Sequence, residues 1–419
     1  MLVRLASRRG PLAILDQAIL SGTSFLTTVL IGRAAGPEEL GLYSLGFTLS
    51  VLILIVQESL VAAPYTVFAQ RLHGAARAEY AGSALAHHGM LAILAAAALI
   101  VAAVAVGAGG LGPVLGVLAV AVPFALLRDF GRRLCFAHGR MRAALVLDAA
   151  TSLLQMLGLV AVMAGGWATA VAAQAVVGVA CAVTAVGWLV AARADFAWRR
   201  ETVAAELRRS WAFGKWVTAG QVVATVHGFA LYWLLALVEG PTATGALVAC
   251  MQLVMLSNPF LLGLSNALGP VAARAYADGG PAAVRGVATR AALVLGAGMG
   301  AFAVAVVVLG GVAMERLYGA EYAGQEPILA VLAAALLAGG FSVAADHGLR
   351  ALARPDVGFR ASAIGLCVTV LTASVLLMHF GVLGAACGFL AGCATGSVVR
   401  WLAFRRLAAE PTAEVARAA

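Results

Sequence analysis

Charge is scarce in this chain: Asp, Glu, Lys and Arg together make up 11% of its 419 residues, against about 25% in a soluble domain. That excludes a soluble enzyme and a disordered chain. Lysine is nearly missing, with Lys215 standing alone beside 27 arginines. There are only six cysteines (Cys135, Cys181, Cys250, Cys367, Cys387, Cys393), and none forms a CxxC pair, so no zinc or disulfide framework is expected. The chain has no Gly-rich nucleotide loop, no metal-binding motif and no nucleophile elbow. Neither catalysis, nor a cofactor, nor ATP-driven transport by this chain alone is expected. Long polar stretches are absent too, which leaves no room for a sizeable soluble domain.

What is present is apolar: 63% of the residues are hydrophobic and the mean hydropathy is +0.97. A membrane span needs about 20 such residues. Twelve runs meet that length, at 12–32, 40–67, 84–106, 114–136, 144–164, 168–191, 215–238, 243–268, 287–313, 325–349, 361–380 and 383–404. They are numbered here as spans 1 to 12. The runs are long and lack period-2 alternation, so they read as helices rather than barrel strands. Ser7-Arg8-Arg9 resembles the opening of a twin-arginine export signal. The apolar run behind it passes Gly32 without a cleavage site, so a signal-anchor first span is expected.

The net charge of +9 does not point to nucleic acid, because the arginines sit in small clusters beside apolar runs. That is how charge orients a membrane protein. With the N-terminus placed in the cytoplasm, 26 of the 28 basic residues fall on the cytoplasmic side, and only Arg33 and Arg316 fall outside. Removing or adding a middle span would destroy this segregation. Both termini are therefore expected in the cytoplasm.

The longest internal connector, Ala192 to Gly214, carries Arg193, Arg199, Arg200, Arg208 and Arg209 and reads as an amphipathic surface linker meeting anionic lipid headgroups. It divides the chain into an N-terminal lobe (1–191), the linker (192–214), a C-terminal lobe (215–407) and a short polar tail (408–419). Shifting the sequence by 204 residues superposes Gln17 on Gln221, Phe25 on Phe229, Gly36-Pro37 on Gly240-Pro241, Gly41 on Gly245 and Leu49 on Leu253. Span 1 falls on span 7. Six spans per half keep both halves in one orientation, as parallel repeats about an axis normal to the membrane. Substrate and coupling sites in such folds lie near the midplane between the halves.

Polar residues inside spans are the candidates for that site, since a charge at a span centre costs about 2.5–3.5 kcal/mol on insertion scales and faces a cavity or a partner. Glu58, preceded by Gln57, lies in span 2; Asn258 and Asn266 flank the equivalent position in span 8. These two polar stripes are expected to face each other, although interhelical hydrogen bonding alone would also explain the asparagines. Asp16 and Gln17 lie one turn into span 1, answered by Gln221 in span 7, with His227 deeper. Asp148 and Gln155 mark span 5, and Asp346-His347 marks the end of span 10. Arg128, Arg132 and Arg133 close span 4, Arg274 follows span 8 and Arg350 closes span 10. Arg128, Arg274 and Arg350 are candidate phosphate contacts at a cytoplasmic cavity mouth, and orientation of the spans would account for the same arginines. Pro64, Pro259 and Pro270 are expected to bend spans 2 and 8.

The stretch Asp16-Gln17, Ser21-Gly22-Thr23-Ser24-Phe25 and Gly32-Arg33-Ala34-Ala35-Gly36-Pro37-Glu38-Glu39-Leu40-Gly41-Leu42-Tyr43-Ser44 resembles the start of polysaccharide (O-antigen, Wzx-type) flippases. These belong to the multidrug/oligosaccharidyl-lipid/polysaccharide exporter superfamily. The pattern R-x-x-G-P-E-E-x-G-x-Y after span 1 carries the likeness, and sharp similarity is confined to about the first seventy residues. The resemblance implies an all-α, V-shaped bacterial inner-membrane transporter of twelve helices in two parallel six-helix lobes. It implies a lipid-linked oligosaccharide as substrate, on an undecaprenyl diphosphate carrier, moved to the outer leaflet by alternating access. It also implies coupling to protons or sodium, with Glu58, Asp16 and His227 as the protonatable candidates. This chain departs from that pattern in having no Arg or Lys near a span midpoint to meet a diphosphate. A multidrug/cation antiporter of the same superfamily remains an alternative. A major-facilitator transporter lacks its Gly/Asp/Arg motif in Ala69-Gln70-Arg71-Leu72-His73-Gly74, and a membrane polymerase lacks its large outer loop.

Overall fold

The computed structural model describes residues 2–409. Among them are nine helices long and apolar enough to cross a membrane, and no strand. Three of the nine leave helical geometry midway, at Gly36, at Gly279–Gly280 and at Gly381. Each of these three supplies two limbs, so twelve membrane-length limbs result. The chain is an all-α, multi-pass membrane protein. Large apolar side chains such as Val104, Leu237 and Met378 cover its outside, where lipid replaces water as the solvent. Apart from Ala408 and Ala409, the expected tail lies outside the described residues.

The turn between spans 1 and 2 shows why Gly36 stands where it does. Gly36 has φ 81° and ψ 179°, and Pro37 opens the next limb. Gly240, 204 residues on, has φ 88° and ψ −179°, again with Pro at the start of the following helix, Pro241–Val254. The repeat read from the sequence is thus a repeat of backbone conformation. That region of φ/ψ space is open essentially to glycine alone. Gly36→Ala is expected to destabilise the protein by about 1–3 kcal/mol, read as a lowered unfolding temperature in detergent.

Spans 2 and 8 are both irregular, and proline is the reason. Proline has no N–H, so the carbonyl four residues earlier loses its helical donor. Ahead of Pro64 the helix widens into a π-turn, Glu58–Ala62. Ahead of Pro259 it tightens into a 3-10 turn, Met255–Ser257. The disturbance expected at Pro64 and Pro259 takes these forms; Pro270 lies within helix Asn258–Tyr318, which leaves helical φ/ψ only at Gly279 and Gly280.

The described residues form two compact units, up to Val226 and from His227 onward. In the first, helix Leu111–Ala137 (span 4) packs against helices Gly74–Val106 (span 3) and Ala170–Ala191 (span 6), and the helix carrying span 1 packs on Met141–Ala164 (span 5). Tyr65, Tyr80, Phe130 and Leu134 form its buried cluster, with Tyr65 and Tyr80 stacked at 5.4 Å. The linker is helical from Arg200 and runs without interruption to Val238. Its first turns dock on this unit: Arg209 lies 3.9 Å over the Phe68 ring, His87 Nε2 is 2.8 Å from the Val203 carbonyl oxygen, and a side chain at Gly214 would strike the Ser59 carbonyl. In the second unit, helix Glu326–Ala351 (span 10) packs between Asn258–Tyr318 and Pro355–Leu407.

Candidate functional site

Three spans of the first unit bring ionised groups together at one depth. Asp16 lies four residues inside the start of span 1, Asp148 four inside the start of span 5, and Arg132 four short of the end of span 4. Arg132 Nη2 donates to Asp16 Oδ2 at 2.8 Å and Arg132 Nε donates to Asp148 Oδ2 at 2.6 Å. Arg128, one turn earlier on the same helix face, pairs with the other oxygen of Asp148. The carboxylates are buried, Asp148 completely. Two acids and two arginines balance in charge, which is what allows them inside a membrane span. The second oxygen of Asp16 is buried and has no hydrogen-bond partner among the described residues.

Beside this network lies a small cavity of about 210 Å³, lined among others by Ser24, Tyr43, Arg128, Asp129 and Gln155. Gln155 Nε2 donates to Thr27 Oγ1 at 2.8 Å, holding span 5 to span 1. Gln17 is exposed and bonds within its own helix, to Ser21 Oγ at 3.1 Å.

Glu58 and Gln57, neighbours in sequence, are separated in space by the turn of the helix. Glu58 is half-buried and ion-paired with Arg133 Nη1 at 2.7 Å. Gln57 is fully buried. Its Nε2 donates to the Leu126 carbonyl at 2.8 Å, and its Oε1 accepts from His88 Nδ1 at 2.8 Å. The expectation that Gln57 lines a cavity gives way to a tie between spans 2, 3 and 4, because its amide is already satisfied inside the bundle. Beyond span 4, His138 Nε2 lies 2.8 Å from Tyr65 Oη. Its imidazole is held below its ordinary pKa, first by burial and then by the Arg77 guanidinium.

In the second unit His227, Asn266 and Arg350 line a cavity of about 810 Å³. His227 Nε2 is 3.3 Å from Thr369 Oγ1, and Arg350 Nη2 pairs with Asp346 Oδ2 at 2.8 Å. Gln221 is exposed, Asn258 half-buried, and Arg274 exposed and outside the lining of this cavity. The same cavity holds a residue that sequence reading assigned only to orientation, Arg400. The signal that would have found it is its register. It lies four residues beyond Gly396 and eight beyond Gly392, on the glycine stripe along which span 12 packs closely against span 11.

These features define a multi-pass helical membrane protein with paired charges inside its spans. Residues 217–375 match the MatE family model. The structure is similar to the inward-facing conformation of a multidrug resistance MATE family transporter of the MOP superfamily, at 15% identity and TM-score 0.76 over 94% of this chain and 95% of that one. It is similar to the lipid II flippase MurJ in an inward closed conformation, at 10% identity and TM-score 0.74 over 94% of this chain and 87% of that one. It is similar to an outward-facing MATE family transporter at 14% identity and TM-score 0.64, over 97% and 96% of the two chains. No curated protein matches the chain in sequence. The chain therefore has the fold of the MATE exporters.

Proposed function

We propose that this protein is a bacterial inner-membrane flippase with both termini in the cytoplasm. It carries the polar headgroup of a lipid-linked oligosaccharide, on an undecaprenyl diphosphate carrier, from the cytoplasmic to the outer leaflet by alternating access. The observation that carries a transport role is the guanidinium of Arg132 shared by two buried carboxylates, Asp16 and Asp148, from different spans. Protonating either acid breaks the charge balance and weakens its hold on span 4, which is a direct way to couple a proton to helix movement. The likeness of Arg33 to Tyr43 to polysaccharide flippases and the fold shared with MurJ support the lipid-linked substrate. The placing of 26 of 28 basic residues on one side supports the orientation.

A second reading, a multidrug/cation antiporter, is favoured by the MatE match over 217–375. Complementation separates the two. In a strain lacking the gene, the chain is expected to restore surface glycan export and leave drug sensitivity unchanged. Restored drug efflux without glycan export would establish the antiporter.

Glu58 supplies a milder test. Its pair with Arg133 is half-exposed, and such pairs contribute about 0–1 kcal/mol. Glu58→Gln is expected to leave the unfolding temperature nearly unchanged while lowering export in the complementation assay. Unchanged export at normal protein level would assign Glu58 to packing alone.

A further inference from the structure

Among the described residues, Arg400 has no counter-ion closer than 4.0 Å. Its side chain is mostly buried, 17% exposed. Its Nη1 donates to Ser342 Oγ at 2.6 Å, and its Nη2 donates to Ser362 Oγ and, at 3.4 Å, to the Gly358 carbonyl. All three acceptors are neutral. Asp346 Oδ1 stands 4.0 Å from Nε, and that buried Nε–H has no hydrogen-bond acceptor among the described residues. Asp346 is itself engaged at 2.8 Å by Arg350. Two guanidiniums thus face one carboxylate across the same cavity.

The charge balance decides what the cavity takes. A site with a surplus positive charge repels metal ions and cationic drugs. Among the described residues, no group of three or more His, Cys, Asp or Glu is placed to hold a metal. A guanidinium on a cavity wall, already oriented by two hydroxyls and with no close counter-ion, suits an oxyanion. The cavity volume, about 810 Å³, lies within the usual range for small-molecule sites, about 300–1,000 Å³, and exceeds what a lone carboxylate fills. Gly358, Gly365, Gly392 and Gly396 are on its wall, and a side chain at Gly358 would press on Asp346 Oδ1 at 2.6 Å.

We infer that the second unit holds a binding site for a phosphate-bearing anion, anchored on Arg400 with Ser342 and Ser362 and balanced by Arg350 and Asp346. In naming a lipid-linked diphosphate as the occupant, this rests on the flippase reading; the anion site itself does not.

The test uses the full-length protein purified in detergent, with farnesyl diphosphate, inorganic diphosphate and farnesol as probes in a titration by calorimetry. Wild type is expected to bind a phosphate probe saturably and farnesol weakly or not at all. Arg400→Gln removes charge-assisted donors and is expected to weaken binding by about tenfold or more, with partial recovery in Arg400→Lys. Asp346→Asn removes the competing carboxylate and is expected to tighten binding several-fold. The exposed Arg285→Gln is expected to bind as wild type does. Farnesyl diphosphate binding more tightly than inorganic diphosphate would identify a lipid-linked ligand, and equal binding a soluble one; either supports the anion site. No saturable binding of either phosphate probe would overturn it, as would wild-type affinity in Arg400→Gln or weakened binding in Asp346→Asn. Asp346→Asn decides the matter even where Arg400→Gln fails to fold. Failed glycan complementation with intact diphosphate binding would reject the flippase reading and leave this site standing.

Discussion

Replacing Arg132 with glutamine is expected to destabilise the first unit strongly and abolish transport. The guanidinium touches Asp16 and Asp148 at 2.8 and 2.6 Å, and both carboxylates are buried. Without it Asp148 keeps Arg128, but Asp16 is left as a bare charge inside a span. Removing one partner of a buried pair costs about 3–5 kcal/mol, a large share of a domain's stability. The check is a double-mutant cycle. Asp16→Asn alone leaves one surplus positive charge; Arg132→Gln alone leaves one surplus negative charge. The double variant is neutral again and is expected to recover much of the lost unfolding temperature, so the two effects are not additive. If this network carries the coupling proton, transport is expected to stay lost in all three, because the proton-binding group is gone or has no partner to release. Additive losses of stability would show that the two side chains do not interact.

Gly388→Val is expected to have the other large effect. Spans 11 and 12 are the two limbs of helix Pro355–Leu407, folded back at Gly381 with φ 55°. Gly384, Gly388, Gly392 and Gly396 form a stripe one turn apart, and glycine at that spacing lets helix backbones touch. At Gly388 a Cβ would collide with both Cα and N of Ala373. The obstacle is backbone, so no rotamer change relieves it and the limbs must part. Overpacking of this kind costs about 1–3 kcal/mol or more. It would also separate the glycine-lined wall carrying Arg400. The expected result is loss of monodisperse protein on gel filtration, or a sharply lowered unfolding temperature. Gly263 supplies the control, since a Cβ added there would meet nothing within 4 Å. Gly263→Ala is expected to behave as wild type.

The sequence carried depth well and neighbours poorly. Asp16, Arg132 and Asp148 each sit one turn inside the arginine-rich end of a span, and that placement follows from hydropathy alone. Their meeting does not, since Asp16 and Arg132 are 116 residues apart and helix rotation about the bundle is set by packing. The same blindness to rotation sent Gln57 to a cavity with Glu58, although adjacent helical positions point about 100° apart. Arg400 was hidden by a different rule. Basic residues near span ends serve orientation so often that one turned into a cavity looks like the rest. The Gly-Pro turn was the clearest signal, because glycine at Gly36 and Gly240 answers a local backbone demand that needs no knowledge of the fold.

If a proton held by the Asp16–Arg132–Asp148 network drives a lipid-linked headgroup across the membrane, flipping must follow the proton gradient. Reconstitution in liposomes containing a lipid-linked oligosaccharide reads this step, with an impermeant lectin reporting headgroup exposure while a gradient is imposed. Wild type is expected to translocate the headgroup only with the gradient present, and Asp16→Asn not at all. Translocation that ignores the gradient, or an Asp16→Asn variant as active as wild type, would refute proton coupling through this network.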